Sequence, residues 1–335
     1  MEAGVSIIIC SFNGAERLPE TIRHLATQSV PADIAWEILV IDNASTDATA
    51  LVAKTEWEKH QVTGVNFRVL QEDEPGKSFA WETGLKAARY EYLLTCDDDN
   101  HLSPHYVATS YNIMHGDDTI GVLGGCGIIL PEEPVWDGLT TYRSSYIAGT
   151  QHWAPTQHWV YGAGSTCRRT VLLRLFEMGW QQITGGRTNV KLICGEDVEL
   201  CFIYYLQGYK ICADDRLTFD HFIPLKRQSF AFLLNLEYWI SYSYVLMNNY
   251  LMQIESDQRS VKKKLNSWLI FNLKVLIRLL GQIIKQTILK REQITQAQRL
   301  ALQSHLGAIA SLIQNRKKII QHAAMLKRIL GGQAN

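Results

Sequence analysis

The 335-residue chain has no net charge, no paired-cysteine motif and no uncharged apolar run long enough to span a bilayer. Its 33 Lys and Arg balance 33 Asp and Glu, so the chain has no net positive charge that would attract nucleic acid, and we expect no nucleic-acid partner. The seven cysteines are odd in number and none has C-x-x-C spacing, which predicts reduced, mostly buried thiols in a cytoplasmic protein. The N-terminus shows no signal-peptide pattern.

Short β-branched runs alternate with helical spacing through the first hundred residues. Their order predicts βαβ units on a parallel sheet, which binds ligands just past the carboxyl ends of its strands. Strands are predicted over 5–10, 36–41, 65–70 and 92–96, and helices over 16–27, 48–59 and 78–89. Further along we predict a Gly-rich strand over 120–130, a loop over 185–189, a helix over 200–206 and a short strand over 209–212. The chain therefore divides into an α/β domain over 1–228 and a proline-free helical region over 229–335.

Three adjacent carboxylates, Asp97, Asp98 and Asp99, end the fourth predicted strand. They repel one another unless a cation offsets them, and oxygen ligands suit Mg²⁺ or Mn²⁺ bound together with a diphosphate. Strand alternation lets Asp97 and Asp99 face one side while Asp98 faces away. The alternative interpretation is a solvated acidic turn.

Two further polar positions flank predicted helices. Asp42 ends the second strand, where its carboxylate can accept a hydrogen bond from a nucleobase or ribose; Asp47 is better placed to cap the following helix. Lys77 precedes the third helix and can reach a phosphate, although the P-loop spacing is absent.

An acidic pair and a histidine complete the candidates. Asp197 follows Glu196 at a predicted helix start, where the helix dipole keeps a carboxylate ionised so that it can act as a base; the alternative is a capping pair. His221 follows this pair by one helix and one strand. It either makes a structural hydrogen bond or lies in the same site, to which the chain would return.

Taken in order, these segments resemble the motifs of family 2 glycosyltransferases with the GT-A fold. The resemblance covers about residues 4–225. It is carried by VSIIICSFN at 5–13, ILVIDNASTD at 38–47, GKSFAWETGL at 76–85, DDD at 97–99 and GEDVEL at 195–200.

The resemblance implies a role for each residue. It implies an α/β GT-A sheet with flanking helices that binds a nucleotide-diphosphate sugar and Mn²⁺ or Mg²⁺. Asp197 would be the catalytic base, and a glycan or lipid-linked molecule the acceptor. Asp99 and His221 would bind the metal, and the nucleotide would contact Ser11, Phe12, Asn13, Asp42, Lys77, Asp97 and Asp98. Ser11-Phe12 departs from the more usual Thr-Tyr, so we expect an altered base contact. The Q-x-x-R-W motif of processive synthases is absent, which favours transfer of a single sugar. One carboxylate on the acceptor side favours a single displacement with inversion.

The helical region carries an apolar face beside Lys274, Arg278 and Lys285. We expect this face, with Trp268, Phe271, Leu279 and Ile283, to rest peripherally on the inner face of the cytoplasmic membrane, or else to form a core or homo-oligomer contact.

Two other functions compete with transfer. A sugar-nucleotide nucleotidyltransferase would need a Gly-rich loop after the first strand, where residues 11–17 hold one glycine. A non-enzymatic scaffold acting through the helical region would bind no nucleotide with a metal.

Overall fold

The computed structural model describes residues 2–133, 137–151, 158–185, 191–257, 259–289 and 291–331, which form two units. The first comprises Met1–Glu177 and Leu200–Gln228, and the second Met178–Glu199 and Ser229–Asn335. The segment 178–199, which the sequence places in the first domain, is thus grouped with the helical region. Apart from residue 185, the loop predicted over 185–189 lies outside the described residues.

The first unit is built on an eight-stranded sheet. Its strands are β1 (Glu2–Ser11), β2 (Trp36–Asn43), β3 (Asn66–Glu72), β4 (Tyr90–Thr95), β5 (Asn100–Leu102), β6 (Ile120–Pro131), β7 (Thr166–Arg168) and β8 (Lys210–Ile223). Its helices are α1 (Leu18–Ala26), α2 (Thr49–Lys59), α3 (Lys77–Ala87), α4 (Tyr106–Gly116), α5 (Gly138–Thr141) and α6 (Arg169–Glu177), with 3₁₀ turns at Arg143–Tyr146 and Leu225–Arg227. The boundary between the units falls within α7 (Glu196–Leu206).

The sheet has the order β3-β2-β1-β4-β7-β6-β8-β5. The first four strands in this order are parallel, which confirms the βαβ prediction, whereas β7 is antiparallel to β4 and to β6. Ile7, Ile9, Ile38 and Val40 are completely buried, as expected for β-branched residues in a parallel sheet covered on both faces. In the mixed half, only the strands over 120–130 and 209–212 were predicted.

Strand register brings the polar segments to one edge. Ser11 pairs with Asp42 and Asp42 with Gln71, so the carboxyl ends of three strands are level. The predicted strand over 209–212 is in fact the first part of the 14-residue β8, because β6 pairs with it along most of its length. His221 therefore lies within β8, paired with Asn100 and next to the carboxylates.

The second unit contains, besides residues 178–199, the helices α8 (Phe230–Leu246), α9 (Asn248–Ile254), α10 (Val261–Ile284), α11 (Gln296–Gln314) and α12 (Arg316–Gly331). A π-helical turn, Lys285–Leu289, extends α10. Residues Val261–Leu289 are the one helix in the described chain that is long and apolar enough to cross a membrane by length and composition, and only 6% of its most apolar window is buried.

Two sequence expectations are wrong. The apolar face assigned to α10 was misplaced: Ile283 is buried and Trp268 and Leu279 are half-buried, so of that set only Phe271 is exposed. A helix that is apolar on most sides does not reveal from its periodicity which side packs inward. The cysteines are also less buried than expected, since only Cys96, Cys167 and Cys201 are buried and the other four are half-buried.

Candidate active site

The acidic segment after β4 is not a solvated turn. Asp98 and Asp99 are 8% and 4% exposed. Burial, with the added charge of the three carboxylates, holds the pKa of the Cys96 thiol well above its usual value. Buried carboxylates that lie this close together require compensating cations.

Asp98 obtains its cation from Arg17, the residue that precedes α1. Arg17 contacts it in bidentate fashion, with Nε 3.0 Å from Oδ1 and Nη2 2.8 Å from Oδ2, and Ser11 Oγ donates to Oδ2 at 2.6 Å. Burial raises the Asp98 pKa even so, with the charge of Asp99 adding to the effect and the bonds from Arg17 and Ser11 opposing it. Burial acts against the charge of Arg17, but the bond to Asp98 and the charges of the nearby carboxylates together outweigh it and raise the Arg17 pKa. Asp98 and Ser11 are therefore hydrogen-bonded to each other inside the protein.

Asp99 lies between a histidine and an arginine. His221 Nε2 is 3.8 Å from Asp99 Oδ1, and Arg227 Nη1 donates to Asp99 Oδ2 at 3.1 Å. His221 Nδ1 lies 2.8 Å from the Tyr146 carbonyl oxygen, which can only accept, so Nδ1 carries a proton and Nε2 is the ring nitrogen that faces Asp99. This orientation by an outer carbonyl is how metal-binding histidines are held.

Arg227 and Tyr146 were missed by the sequence analysis. Tyr146 lies in the 3₁₀ turn Arg143–Tyr146, and its hydroxyl donates to the Arg227 carbonyl at 2.9 Å. Burial raises the Tyr146 pKa to about 12, so the hydroxyl stays a donor. The basic pair Lys226-Arg227, which follows β8, was the sequence feature that could have identified Arg227.

Asp97 and Lys77 form the outer edge of the cluster. Lys77 is the first residue of α3 and its Nζ lies 2.7 Å from Asp97 Oδ1. The residue before it, Gly76, has φ of 145°, a conformation that side-chain-bearing residues rarely adopt, so the turn that aims Lys77 requires glycine. The side chains of Lys77 and Asp97 are 28% and 22% exposed and so remain accessible to a ligand.

The loops after β1 and β2 are tied together. Asn13 Oδ1 accepts from the Thr46 backbone N–H at 2.8 Å, and Asp42 accepts from Gln71 Nε2 at 2.9 Å. Asp42 is only 4% exposed, whereas the Phe12 ring is 37% exposed at the same edge. The structure thus brings together nine of the ten predicted site residues within the first unit.

Asp197, the tenth, lies in the second unit. It occupies the first turn of α7, after Gly195 with φ of 93°, and its Oδ1 accepts from the Val198 N–H at 2.8 Å. This is the helix-start position that the sequence predicted.

Glu199, which shares the first turn of α7 with Asp197, was not singled out from the sequence. It is completely buried and accepts bonds from the Ile183 N–H at 2.7 Å, the Thr184 N–H at 2.9 Å and the Tyr250 hydroxyl at 2.7 Å. Burial raises its pKa against these bonds. Glu199 therefore anchors the turn that carries Asp197 to the segment around residue 184.

A further trio of metal-ligand type, Glu20, His24 and His101, has its ligand atoms within 4.8 Å of one another. Arg23 occupies it, however, because its guanidinium contacts the Glu20 carboxylate and lies 2.9 Å from His24 Nε2. The donor set of Asp99 and His221 is the better candidate for a divalent metal.

A family model described as glycosyl transferase family 2 matches residues 6–176, just over half of the chain. Three similar relatives are a cholesterol galactosyltransferase of Borreliella burgdorferi (28% identity over 34% of this chain and 30% of the relative), a poly(ribitol-phosphate) β-N-acetylglucosaminyltransferase of Staphylococcus aureus (27%, 37% and 37%) and an undecaprenyl-phosphate 4-deoxy-4-formamido-L-arabinose transferase of Salmonella choleraesuis (30%, 31% and 31%). The matched region spans about a third of the length of each of these relatives.

Solved structures agree on the fold. A mannosyltransferase of Pyrobaculum calidifontis, solved with GDP-Man and Mn²⁺, superposes with a TM-score of 0.55 at 19% identity, over 98% of this chain and 86% of that one. Residues 1–349 of S. aureus TarS with UDP-GlcNAc superpose with a TM-score of 0.51 at 15% identity, over 94% and 92%. These similarities confirm the predicted GT-A fold.

Proposed function

Because the chain belongs to glycosyl transferase family 2, we propose that it transfers one sugar from a nucleotide-diphosphate sugar to a hydroxyl of its acceptor, with inversion and with Mn²⁺ or Mg²⁺. The observation that carries the proposal is the buried pair of Asp99 and His221, 3.8 Å apart, with the His221 ring oriented by the Tyr146 carbonyl. Asp99 and His221 would hold the metal.

The donor set fits such a metal. A carboxylate oxygen and an imidazole nitrogen supply two protein ligands, which leaves positions for diphosphate oxygens and water. When bound, the metal offsets the charge that grows on the departing diphosphate. Lys77 pairs with Asp97 and Arg227 pairs with Asp99, so both would add positive charge near the diphosphate for the same purpose.

The nucleoside would lie at the loops after β1 and β2. Phe12 exposes an aromatic ring for stacking, and Asp42 has a carboxylate that can accept from a base N–H. Asn13, with φ of 47°, holds the two loops in register. The loop after β1 is held by the bonds that Arg17 and Ser11 donate to Asp98.

Asp197 would take the proton from the acceptor hydroxyl. Its position at the start of α7 favours the ionised carboxylate, and one carboxylate on the acceptor side suffices for a single displacement with inversion. A retaining double displacement would need a second, nucleophilic carboxylate.

We propose a glycan or a lipid-linked molecule as the acceptor. The named relatives comprise a transferase to a sterol, one to a poly(ribitol-phosphate) and one named for undecaprenyl phosphate. We place the enzyme in the cytoplasm, since three cysteines are buried thiols and no cysteine pair has redox-site spacing.

Calorimetry tests the metal site. Nucleoside diphosphates should bind more tightly with Mn²⁺ or Mg²⁺ than without, and Asp99→Asn should abolish that gain. Loss of an outer partner alone typically costs about 10–100-fold in metal affinity, so loss of a ligand should cost at least as much. Asp33→Ala is the matched control. It replaces an exposed acidic residue that precedes β2, and the variant should bind normally.

Undiminished metal-dependent binding by Asp99→Asn would refute the assignment. The product separates the competing enzyme class, because glycosyl transfer releases a nucleoside diphosphate and nucleotidyl transfer releases pyrophosphate.

A further inference from the structure

Helix α10 exposes a continuous row of large apolar side chains. We call this row the outer stripe. Its six members follow one another at spacings of three or four residues, and each is between 41% and 69% exposed: Ile270, Leu273, Ile277, Leu280, Ile284 and Ile288. Six such side chains on one helical edge form an apolar surface of the kind that marks an interaction site.

The opposite face of α10 is already packed. Asn272 Oδ1 lies 2.8 Å from His305 Nδ1 of α11, and Ile283 is buried. Leu265 is completely buried on the same side. These contacts fix the rotation of the helix, so the outer stripe is left exposed by the packing of its own unit.

A basic ridge runs beside the outer stripe. Lys274, Arg278 and Lys285 each directly follow a stripe residue and are exposed, and within the described chain none has an acidic partner within ion-pair distance. Lys264 differs, since it is buried and pairs with Asp257 at 3.0 Å. The segment Val261–Leu289 contains no acidic residue at all.

This charge pattern selects the occupant. The spacing of the stripe would also suit a coiled-coil seam with a second copy, but a homodimer would then bring like-charged ridges together along its flanks, where favourable pairs have opposite charge. A membrane-spanning position is opposed by Lys274 and Arg278 near the middle of the helix and by the polar contact of Asn272 with His305 on its packed side. An anionic lipid surface satisfies both the stripe and the ridge.

We propose that α10 lies in the plane of an anionic membrane surface, with the outer stripe directed to the acyl chains and the basic ridge in contact with headgroup phosphates. The proposal does not depend on the transfer reaction, because it concerns binding of the full chain to lipid without donor, acceptor or metal.

Vesicle co-sedimentation tests it, using neutral phosphatidylcholine vesicles and vesicles that also contain phosphatidylglycerol. The wild type should bind the anionic vesicles and be released by high salt. Lys274→Gln/Arg278→Gln/Lys285→Gln should lower the partition coefficient by about 100-fold, from about fivefold per charge. Ile277→Ser/Leu280→Ser should lower it by at least about tenfold.

Matched substitutions elsewhere serve as controls. Lys54→Gln/Lys59→Gln/Lys86→Gln removes three basic charges from the first unit, and Leu51→Ser removes an apolar side chain that is 67% exposed. Neither should change binding. Circular dichroism should show wild-type helicity for every variant, and ultracentrifugation without lipid should show one mass throughout.

Three results would overturn the proposal. The wild type would fail to sediment with anionic vesicles, or would remain bound after high salt as a spanning helix does. Alternatively, the wild type would be a dimer without lipid that Ile277→Ser/Leu280→Ser dissociates, which would assign the outer stripe to a second copy.

Discussion

The pairing of Arg17 with Asp98 gives the sharpest prediction for stability. The change is Arg17→Met, which keeps an unbranched apolar stem and removes the guanidinium. Asp98 is 8% exposed and loses both Arg17 bonds, so its charge is left buried with Ser11 as a remaining donor. Removing one partner of a buried ion pair costs about 3–5 kcal/mol, and we expect the lower end because the Arg17 side chain is 20% exposed.

The second change is the double variant Arg17→Met/Asp98→Asn. It removes the buried charge and keeps an amide oxygen that Ser11 can donate to. Because burial raises the Asp98 pKa even beside Arg17, the intact pair contributes little net free energy. The double variant should therefore recover to within about 1 kcal/mol of the wild type. It should also keep metal-dependent nucleotide binding, since the Asp98 carboxylate is bonded to Arg17 and Ser11 and not to the proposed metal ligands.

The pH dependence has a definite sign. A carboxyl whose folded-state pKa lies above its unfolded value binds more protons when folded, so its charge costs stability as pH rises. Without Arg17 this effect should grow. Arg17→Met should thus become less destabilised, relative to the wild type, as pH falls from 7 toward 5, and the double variant should lose that dependence.

Urea unfolding at several pH values measures all three effects. Lys86→Met removes the partner of Glu82 in an exposed pair on α3 and should cost less than about 0.5 kcal/mol. The reasoning fails if Arg17→Met costs less than about 1 kcal/mol, or if the double variant is as unstable as the single one.

Three further predictions concern the second unit. Gly307→Ala would place a Cβ 2.1 Å from the Tyr238 carbonyl oxygen and should lower stability by about 1–3 kcal/mol, whereas Gly281→Ala meets nothing within 4 Å and should raise it by about 0.5–1 kcal/mol; thermal melts followed by circular dichroism compare them. Burial lowers the His322 pKa to about 4, so the stability that its neutral ring contributes should be lost as pH falls from about 6.5 to 4, and His322→Asn should flatten that part of a urea-unfolding pH series. Asp197→Asn should bind donor normally but transfer sugar about 10²–10⁴-fold more slowly, and near-wild-type turnover would exclude it as the base.

The sequence alone was sufficient for the first four strands, their helices and the family. Apolar runs of β-branched residues and helical spacing are local signals, and they located β1, β2 and α1 to within a few residues. The order of polar strand ends predicted one ligand-binding edge, and the register of Ser11 with Asp42 confirms that these ends are level.

Tertiary structure decided which partner each carboxylate has. Arg17 and Asp98 are 81 residues apart, and Arg227 and Asp99 are 128 apart, so no local pattern links them. Long-range strand pairing also placed His221 beside Asn100 and the acidic segment, a position that the sequence did not give.

The same limit applies to α10. Its residues are apolar on most sides, so periodicity could not distinguish the packed face from the exposed one. Burial of Leu265 and Ile283 and the contact of Asn272 with His305 of α11 settle the rotation of the helix. Composition determined that the helix is apolar and basic, and only its packing against two other helices determined which side chains face outward.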